Sequence, residues 1–284
     1  RNSARIPHMA SYHLSVTTIS RGRGQSAIAS AAYRAGERLR CEREVVTHDY
    51  SRKSGIETTF ILAPSSAPSW ASVRNELWNA AEASERRKNS VVAREWRLAL
   101  PAELPPEQRV DLVREFAHAL IERFGVVVDV AVHSPHRSGD NRNWHAHLMT
   151  TTREVGADGF GAKTRVLDAA KTGSVEVVAM RAFWAELQNA AYQAAEIDAS
   201  VDHRSLEEQS DAALARGDEA LADALNRPAE PRMGVAATSI ERKAQKAALA
   251  AGEDYAPVTD RGRHLADMRA ERREIEKVRL SASH

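Results

Sequence analysis

Cysteine is almost missing from this chain: Cys41 is the only one in 284 residues. One thiol closes no internal disulfide and builds no thiolate metal cluster, and such sparing use fits a reducing compartment. Long apolar runs are missing too. None approaches the roughly 18 residues that a membrane-spanning helix needs, so no membrane partner is expected. The opening segment RNSARIPHM lacks the apolar core of a signal peptide. Residues 1–8 read as a vector-derived tail before a native start at Met9, and a cytoplasmic location is expected. There is no G-x-S-x-G, and with no suitable cysteine the serine- and cysteine-hydrolase chemistries lose support. Net charge is nearly absent: 40 Lys and Arg against 39 Asp and Glu leave +1. Global charge therefore does not announce a polyanionic partner.

What is present is unevenly placed. Residues 1–60 carry a net +5, residues 200–230 a net −5 and residues 231–284 a net +3. That asymmetry permits a basic groove at one end of the molecule. A hydrophobic content of 43% suffices for a core, and the length suggests one large domain or a domain with an appendage. The sequence shows no internal repeat.

The pattern along the chain alternates strands and helices without a regular βαβ repeat. Ser11–Thr18 suits a first strand. The basic turn RGRGQS (21–26) follows, and Ser26 is placed to cap an alanine-rich helix, AIASAAYRAGERL, weakened by Gly36 near its last turn. A strand is expected at 60–62, a helix over 69–87, a strand over 91–100 closed by Pro101, and a helix over 105–124. Residues 126–133 (VVVDVAVH) are nearly all β-branched, the strongest strand signal present. Loop 134–144 leads to a return strand, 145–152. Residues 156–173 read as a polar loop, 175–197 as a helix, and further helical stretches lie near 206–226, 239–251 and 264–281. This order predicts an α+β fold: a mainly antiparallel central sheet flanked by helices, with a core domain over 9–205 and a helical extension over 206–284.

His145 and His147 stand at i and i+2 on a strand, so both rings leave one face. His133 ends the preceding strand, and a hairpin through 134–144 returns it to His145. Three neutral nitrogen donors with open positions make a catalytic rather than a structural metal site. His136, in the loop, competes for that role and ranks below His133. A nucleophile must be sought elsewhere, among Tyr12, Tyr33, Tyr50, Tyr192 and Tyr255. Tyr33 follows the basic turn and has small neighbours, Ala31, Ala32, Ala35 and Gly36, that would let a phosphate backbone approach.

Taken together, several segments resemble the MobA/MobL relaxases, including the relaxase part of TraA-type conjugation proteins. They are MASYHLSVTTISRGRGQSAIASAAYRAGERL (9–39), HDYSRKSGI (48–56), RRKNSVVAREWRLALP (86–101) and HSPHRSGDNRNWHAHLMTTT (133–152), followed by GFGAKTRVLD (159–168), FWAELQNAA (183–191), VDHRSLEEQ (201–209) and PRMGVAATSIERK (231–243). The resemblance implies an HUH-type DNA strand transferase. It matches Tyr33 to the nucleophile, His133, His145 and His147 to the ligands of a divalent metal (Mn²⁺ or Mg²⁺), and Glu95 to an acidic residue supporting a ligand histidine. His13, on the first strand, is a further residue that can point toward this site. The implied reaction nicks one strand of a plasmid's origin of transfer, leaves a 5′-phosphotyrosyl intermediate and can rejoin it. The implied substrate is single-stranded origin DNA beside a hairpin. Relaxosome accessory proteins and a type IV secretion coupling protein are the partners such an enzyme has, and it can travel with the DNA into the recipient. Phosphate contacts are expected from Arg21, Arg23, Arg52, Lys53, Arg86, Arg87 and Lys88.

Two other readings stay open at the level of sequence. A rolling-circle replication-initiation nuclease uses the same chemistry with the tyrosine after the histidine pair, an order Tyr192 would satisfy. A noncatalytic DNA-binding module would need no tyrosine at all.

Overall fold

The computed structural model describes residues 8–136 and 140–282. Two compact units divide the chain after His203. In the first, β1 (His8–Met9), β2 (Leu14–Ser20), α1 (Ala27–Ala35), β3 (Arg38–Cys41), β4 (Val46–Asp49) and β5 (Ile56–Leu62) lead to α2 (Arg74–Ser84). Then come β6 (Val91–Ala99), α3 (Pro106–Phe124), β7 (Val128–His133), β8 (His145–Thr150), β9 (Arg153–Gly156), β10 (Gly159–Lys163), α4 (Ala170–Ala194) and β11 (Ala199–Ser200). The second unit holds α5 (Leu206–Ala215), α6 (Glu219–Leu225), α7 (Val235–Ala251) and α8 (Asp260–Ala282). None of these helices is long and apolar enough to cross a membrane.

Five strands form the central sheet in the order β2-β6-β8-β7-β5, with every neighbouring pair antiparallel. The α+β expectation holds. Because side chains alternate across a strand, the sheet has two different faces. Trp96, Leu98, Val130, Val132, Ala146 and Leu148 face one way and pack on Phe116 and Leu120 of α3 and Trp184 of α4. Ala93, Met149 and Val127 join Ile28, Ala31 and Ala32 of α1 and Leu77 and Trp78 of α2 in a second cluster. Helices therefore cover both faces, and Glu95, His133, His145 and His147 lie on the α1 face.

Local chemistry explains the element boundaries. Ser26 caps α1 by accepting the Ala29 amide, 3.3 Å. Gly36, at φ 66°, adopts the left-handed conformation that ends a helix without strain only for glycine. The expected helix thus stops at Ala35, and a hairpin of β3 and β4 follows that the sequence pattern did not predict. The expected helix over 69–87 is a short 3₁₀ turn, Ser69–Ser72, and then α2, because Val73 is extended between them. The expected polar loop 156–173 contains β10, which pairs with β9 in a hairpin. Residues 1–7 of the expected tail lie outside the described residues, and His8 and Met9 pair in parallel with β11.

In the second unit, Ser205 and Glu208 form a reciprocal capping box at the start of α5. Gly217, at φ 76°, divides the expected helical stretch near 206–226 into α5 and α6. Glu241 of α7 accepts the backbone N–H of Thr259 (2.7 Å) and Val258 (3.1 Å) and so ties the start of α8 to α7.

Asp129 is the one carboxylate in the apolar run 126–133, and it is buried. It accepts hydrogen bonds from Nε (2.9 Å) and Nη2 (2.8 Å) of Arg74 and from the Trp78 indole N–H at 2.8 Å. Removing the carboxylate leaves the buried Arg74 with Glu37 as its one remaining carboxylate partner and strands the Trp78 indole donor. Asp129→Ala should cost about 3–5 kcal/mol, measurable by urea unfolding; a loss under about 1 kcal/mol would show that the network is not holding α2 to the sheet.

Candidate active site

Strand register assembles the histidines. His133 stands directly opposite His145 across the β7–β8 pair, and His147 lies two residues along the same face. Their ring centroids are 4.8–5.3 Å apart. One nitrogen from each ring lies within 4.8 Å of the others. Each ring also has one nitrogen committed to an acceptor. His133 Nε2 donates to the Arg34 carbonyl (2.7 Å), His145 Nδ1 to the Asn143 carbonyl (3.0 Å) and His147 Nδ1 to the Glu95 carboxylate (2.6 Å). Carbonyls and carboxylates only accept, so in the neutral form of each ring the other nitrogen is the bare one. Burial pushes the His133 pKa down to about 4, against a partial rise from its bond to Arg34, and burial lowers His145 as well. These two rings are neutral at physiological pH, the form a metal binds.

Glu95 sits on β6, whose alternation brings Glu95 and Arg97 to the histidine face. Burial alone would raise its pKa. Hydrogen bonds from Arg34 and His147 outweigh that and hold the carboxyl far below the usual range. Arg34 grips it with two nitrogens, Nη2 at 2.8 Å and Nε.

Tyr33 lies in the last turn of α1, half exposed. Its ring meets Tyr50 edge-on, centroids 5.3 Å apart. Lys53 lies over the same ring, Nζ 3.7 Å from the centroid, and donates to the Tyr33 carbonyl at 2.7 Å. The ends of a helix leave carbonyls without partners. Here the carbonyls of Tyr33 and Arg34 are taken by Lys53 and His133, so the end of α1 is tied to the histidine strands.

A family profile for the MobA/MobL proteins matches residues 25–243, a span that includes every residue of this site. The chain belongs to the MobA/MobL family. The mobilization protein MobL of Acidithiobacillus ferridurans is 37% identical over 223 residues, 69% of this chain and 58% of that protein. The conjugal transfer protein TraA of Agrobacterium fabrum is 33% identical over 266 residues, 84% of this chain but 22% of that protein. The chain thus spans 58% of the MobL relative's length and 22% of TraA's. A solved structure describing the molecular basis of vancomycin resistance transfer in Staphylococcus aureus is 30% identical and aligns with a TM-score of 0.62. The alignment covers 69% of this chain and all of that one.

Within this MobA/MobL chain the other tyrosines separate by environment. Tyr192 is buried and donates to Glu103 at 3.0 Å, and burial raises its pKa. Tyr12 donates to the Arg181 carbonyl at 2.8 Å and is raised for the same reason. Tyr255 donates to Glu241 in the second unit. Tyr50 touches Tyr33 and is partly exposed. The tyrosine that would favour a replication-initiation order is therefore the one locked in the core.

The expected cations also separate. Arg21 turns inward: its side chain is 7% exposed and binds Glu82 through Nε (2.8 Å) and the Glu85 carbonyl (2.7 Å). That placement assigns it to holding the turn after β2. Arg23 is exposed and donates to Thr18 Oγ1 (2.9 Å). Arg52 is exposed beside Asp49. Arg86, Arg87 and Lys88 are exposed. Arg86 and Arg87 line a cleft of about 590 Å³ with Arg153, Lys163, Arg165 and Phe160. Sequence reasoning did not reach Arg97, which stands opposite His147, exposed, with no ion pair or hydrogen bond through its side chain among the described residues. Its spacing of two from Glu95 was the available signal. His13 hydrogen-bonds Ser15 at 3.1 Å.

If Glu95 fixes the His147 ring, Glu95→Gln should weaken Mn²⁺ binding about 10–100-fold, and His147→Ala should weaken it further, with both variants folded. Calorimetric titration reads this. Wild-type affinity in His147→Ala would remove that residue from the site.

Proposed function

We propose that this MobA/MobL chain is the catalytic part of a conjugative DNA relaxase, and that it nicks and rejoins one strand at a plasmid's origin of transfer. The observation that carries this is the joint between nucleophile and histidines: Tyr33 is exposed on the last turn of α1, and the next residue holds His133 and Glu95. A plain hydrolase needs no exposed tyrosine braced in this way.

Three imidazoles, each with one bare nitrogen, fit a divalent metal. His133, His145 and His147 would hold it. Imidazole suits Mn²⁺, and Mg²⁺ is the abundant alternative. Such an ion supplies Lewis-acid charge for the non-bridging oxygens of a phosphodiester. The chain's own residues do the rest. The Tyr33 oxygen attacks phosphorus and forms the tyrosyl ester. The bond to the 3′-oxygen breaks, and that oxygen leaves with the electron pair and takes up a proton in place of the one the phenol gives up. The 5′-phosphate stays on Tyr33. Rejoining reverses each step, so the ester conserves the bond. Lys53 and Tyr50 hold the Tyr33 ring in one orientation. Arg97 is a cation available for the phosphate next to the reacting one.

The substrate is single-stranded origin DNA with an adjacent hairpin. Phosphates are positioned by Arg86, Arg87 and Lys88, with Arg23 and Arg52 as further contacts. Accessory relaxosome proteins and a type IV coupling protein complete the system, in the bacterial cytoplasm.

Tyr33→Phe should keep DNA binding and thermal stability while abolishing both cleavage and the denaturation-resistant protein–DNA adduct. Chelation should abolish cleavage by the wild type, and Mn²⁺ should restore it. Mapping the adduct to Tyr50, or cleavage undiminished after thorough chelation, would overturn the corresponding assignment.

Binding of an origin oligonucleotide should weaken steeply with salt. Replacing Arg86 and Arg87 by alanine should make the log–log slope shallower by about 0.7 for each phosphate that is no longer neutralised. An unchanged slope would place the strand elsewhere.

A further inference from the structure

Arg34 has no part in the chemistry assigned above, yet it bears on most of the site. Its guanidinium forks onto Glu95, Nη2 to Oε2 at 2.8 Å and Nε to Oε1. Its third nitrogen, Nη1, donates to the Ser30 carbonyl of its own helix at 3.0 Å. The side chain is mostly buried, as is that of Glu95. All three nitrogens are committed, so this arginine is not a phosphate contact. Glu95 in turn accepts the Nδ1–H of His147 at 2.6 Å. Independently, the Arg34 backbone carbonyl accepts the Nε2–H of His133 at 2.7 Å.

We infer that Arg34 is a positioning residue: through the Glu95 carboxylate it fixes the ring of His147, and through its own carbonyl it fixes the ring of His133. One residue next to the nucleophile thereby sets two of the three imidazoles. A carboxylate held by a single histidine could rotate and present either oxygen. A planar fork that takes both oxygens removes that freedom. Lysine brings the charge but one nitrogen, so it cannot reproduce the constraint. The two arms differ in kind. Substituting the side chain cuts the arm to His147 and leaves the carbonyl arm to His133 in place.

The inference rests on the metal-site reading of the histidines, and the full chain tests it without DNA or turnover. In metal-free wild type, ¹⁵N imidazole spectra should show the neutral form of His147 as a single tautomer, protonated at Nδ1. In Arg34→Met that resonance should become a mixture, while His133 keeps its Nε2–H form. Calorimetric titration with Mn²⁺ should give an affinity about 10–100-fold weaker. Arg34→Lys should be weaker than wild type but folded, and it decides the matter if Arg34→Met does not fold. Arg34→Met added to Glu95→Gln should cost little more than Glu95→Gln alone, because both act through one carboxylate. An unchanged His147 tautomer, wild-type Mn²⁺ affinity in either Arg34 variant, or fully additive losses would overturn the inference. A wild type that takes up no Mn²⁺ would instead sink the metal-site reading, and the tautomer spectra would still decide the role of Arg34.

Discussion

The site depends on keeping one carboxylate ionised inside the protein. Glu95 is largely buried, a place that penalises its charge. Arg34 and His147 offset that penalty with hydrogen bonds to both oxygens. Take the charge away and the consequences spread. His147 loses the acceptor that selects its tautomer, Arg34 loses its anchor on the sheet, and the last turn of α1 loses its side-chain hold on β6. The histidine cluster and the helix that carries Tyr33 meet at this carboxylate.

A second constraint places Tyr33. An alanine-rich helix would continue past it were Gly36 not in the left-handed conformation. Stopping there leaves carbonyls at the helix end that need donors, and Lys53 and His133 supply them. The cap, the lysine and the histidine thus fix where α1 ends relative to the histidines. Small residues make this possible: Ala31 and Ala32 sit in the second core cluster beside Ala93, so the helix lies close to the sheet.

How much of this was legible in the sequence follows from which signals are periodic. Alternation in 91–100, β-branched content in 126–133 and a hairpin return over 145–152 located the three central strands; the period of two put His145 and His147 on one face, and the hairpin brought His133 to them. The 105–124 stripe gave α3 to within a residue at its start. The hairpins β3–β4 and β9–β10 were missed because their strands are only four or five residues long; in β3 the buried Leu39 and Cys41 alternate with exposed Arg38 and Arg40 over too short a span to stand out from the helix pattern before it. Asp129 carried a readable signal, since a lone carboxylate in an apolar strand demands a buried cation, but its partner Arg74 lies 55 positions away. Arg34 had no signal of its own. Written beside Tyr33 it looks like any surface arginine, and only the placement of β6 beside α1 reveals the carboxylate it serves.

That distinction among arginines also resolves the charge balance. A chain with a net of +1 has no general attraction for a polyanion, so the attraction must be local. Arg21, Arg34, Arg74 and Arg94 face Glu82, Glu95, Asp129 and Asp168, and each of these arginines is buried or largely buried. These pairs cancel in the sum and serve the structure. Arg86, Arg87, Arg97 and Arg165 have no ion pair or hydrogen bond through their side chains among the described residues, and all four are exposed. A phosphate that meets one of them breaks no existing ion pair or hydrogen bond of that side chain among the described residues. Counting cations along the sequence mixes the two groups, which is why Arg21 and Arg87 looked equivalent there. Their carboxylate partners sort them: the cations left over after the buried pairs are formed include one opposite His147 and a set around the cleft beside Phe160. The acidic residues that line that cleft, Glu85 and Asp168, are themselves held by Arg153, Lys163 and Arg94, so the arginines without ion pairs set its charge.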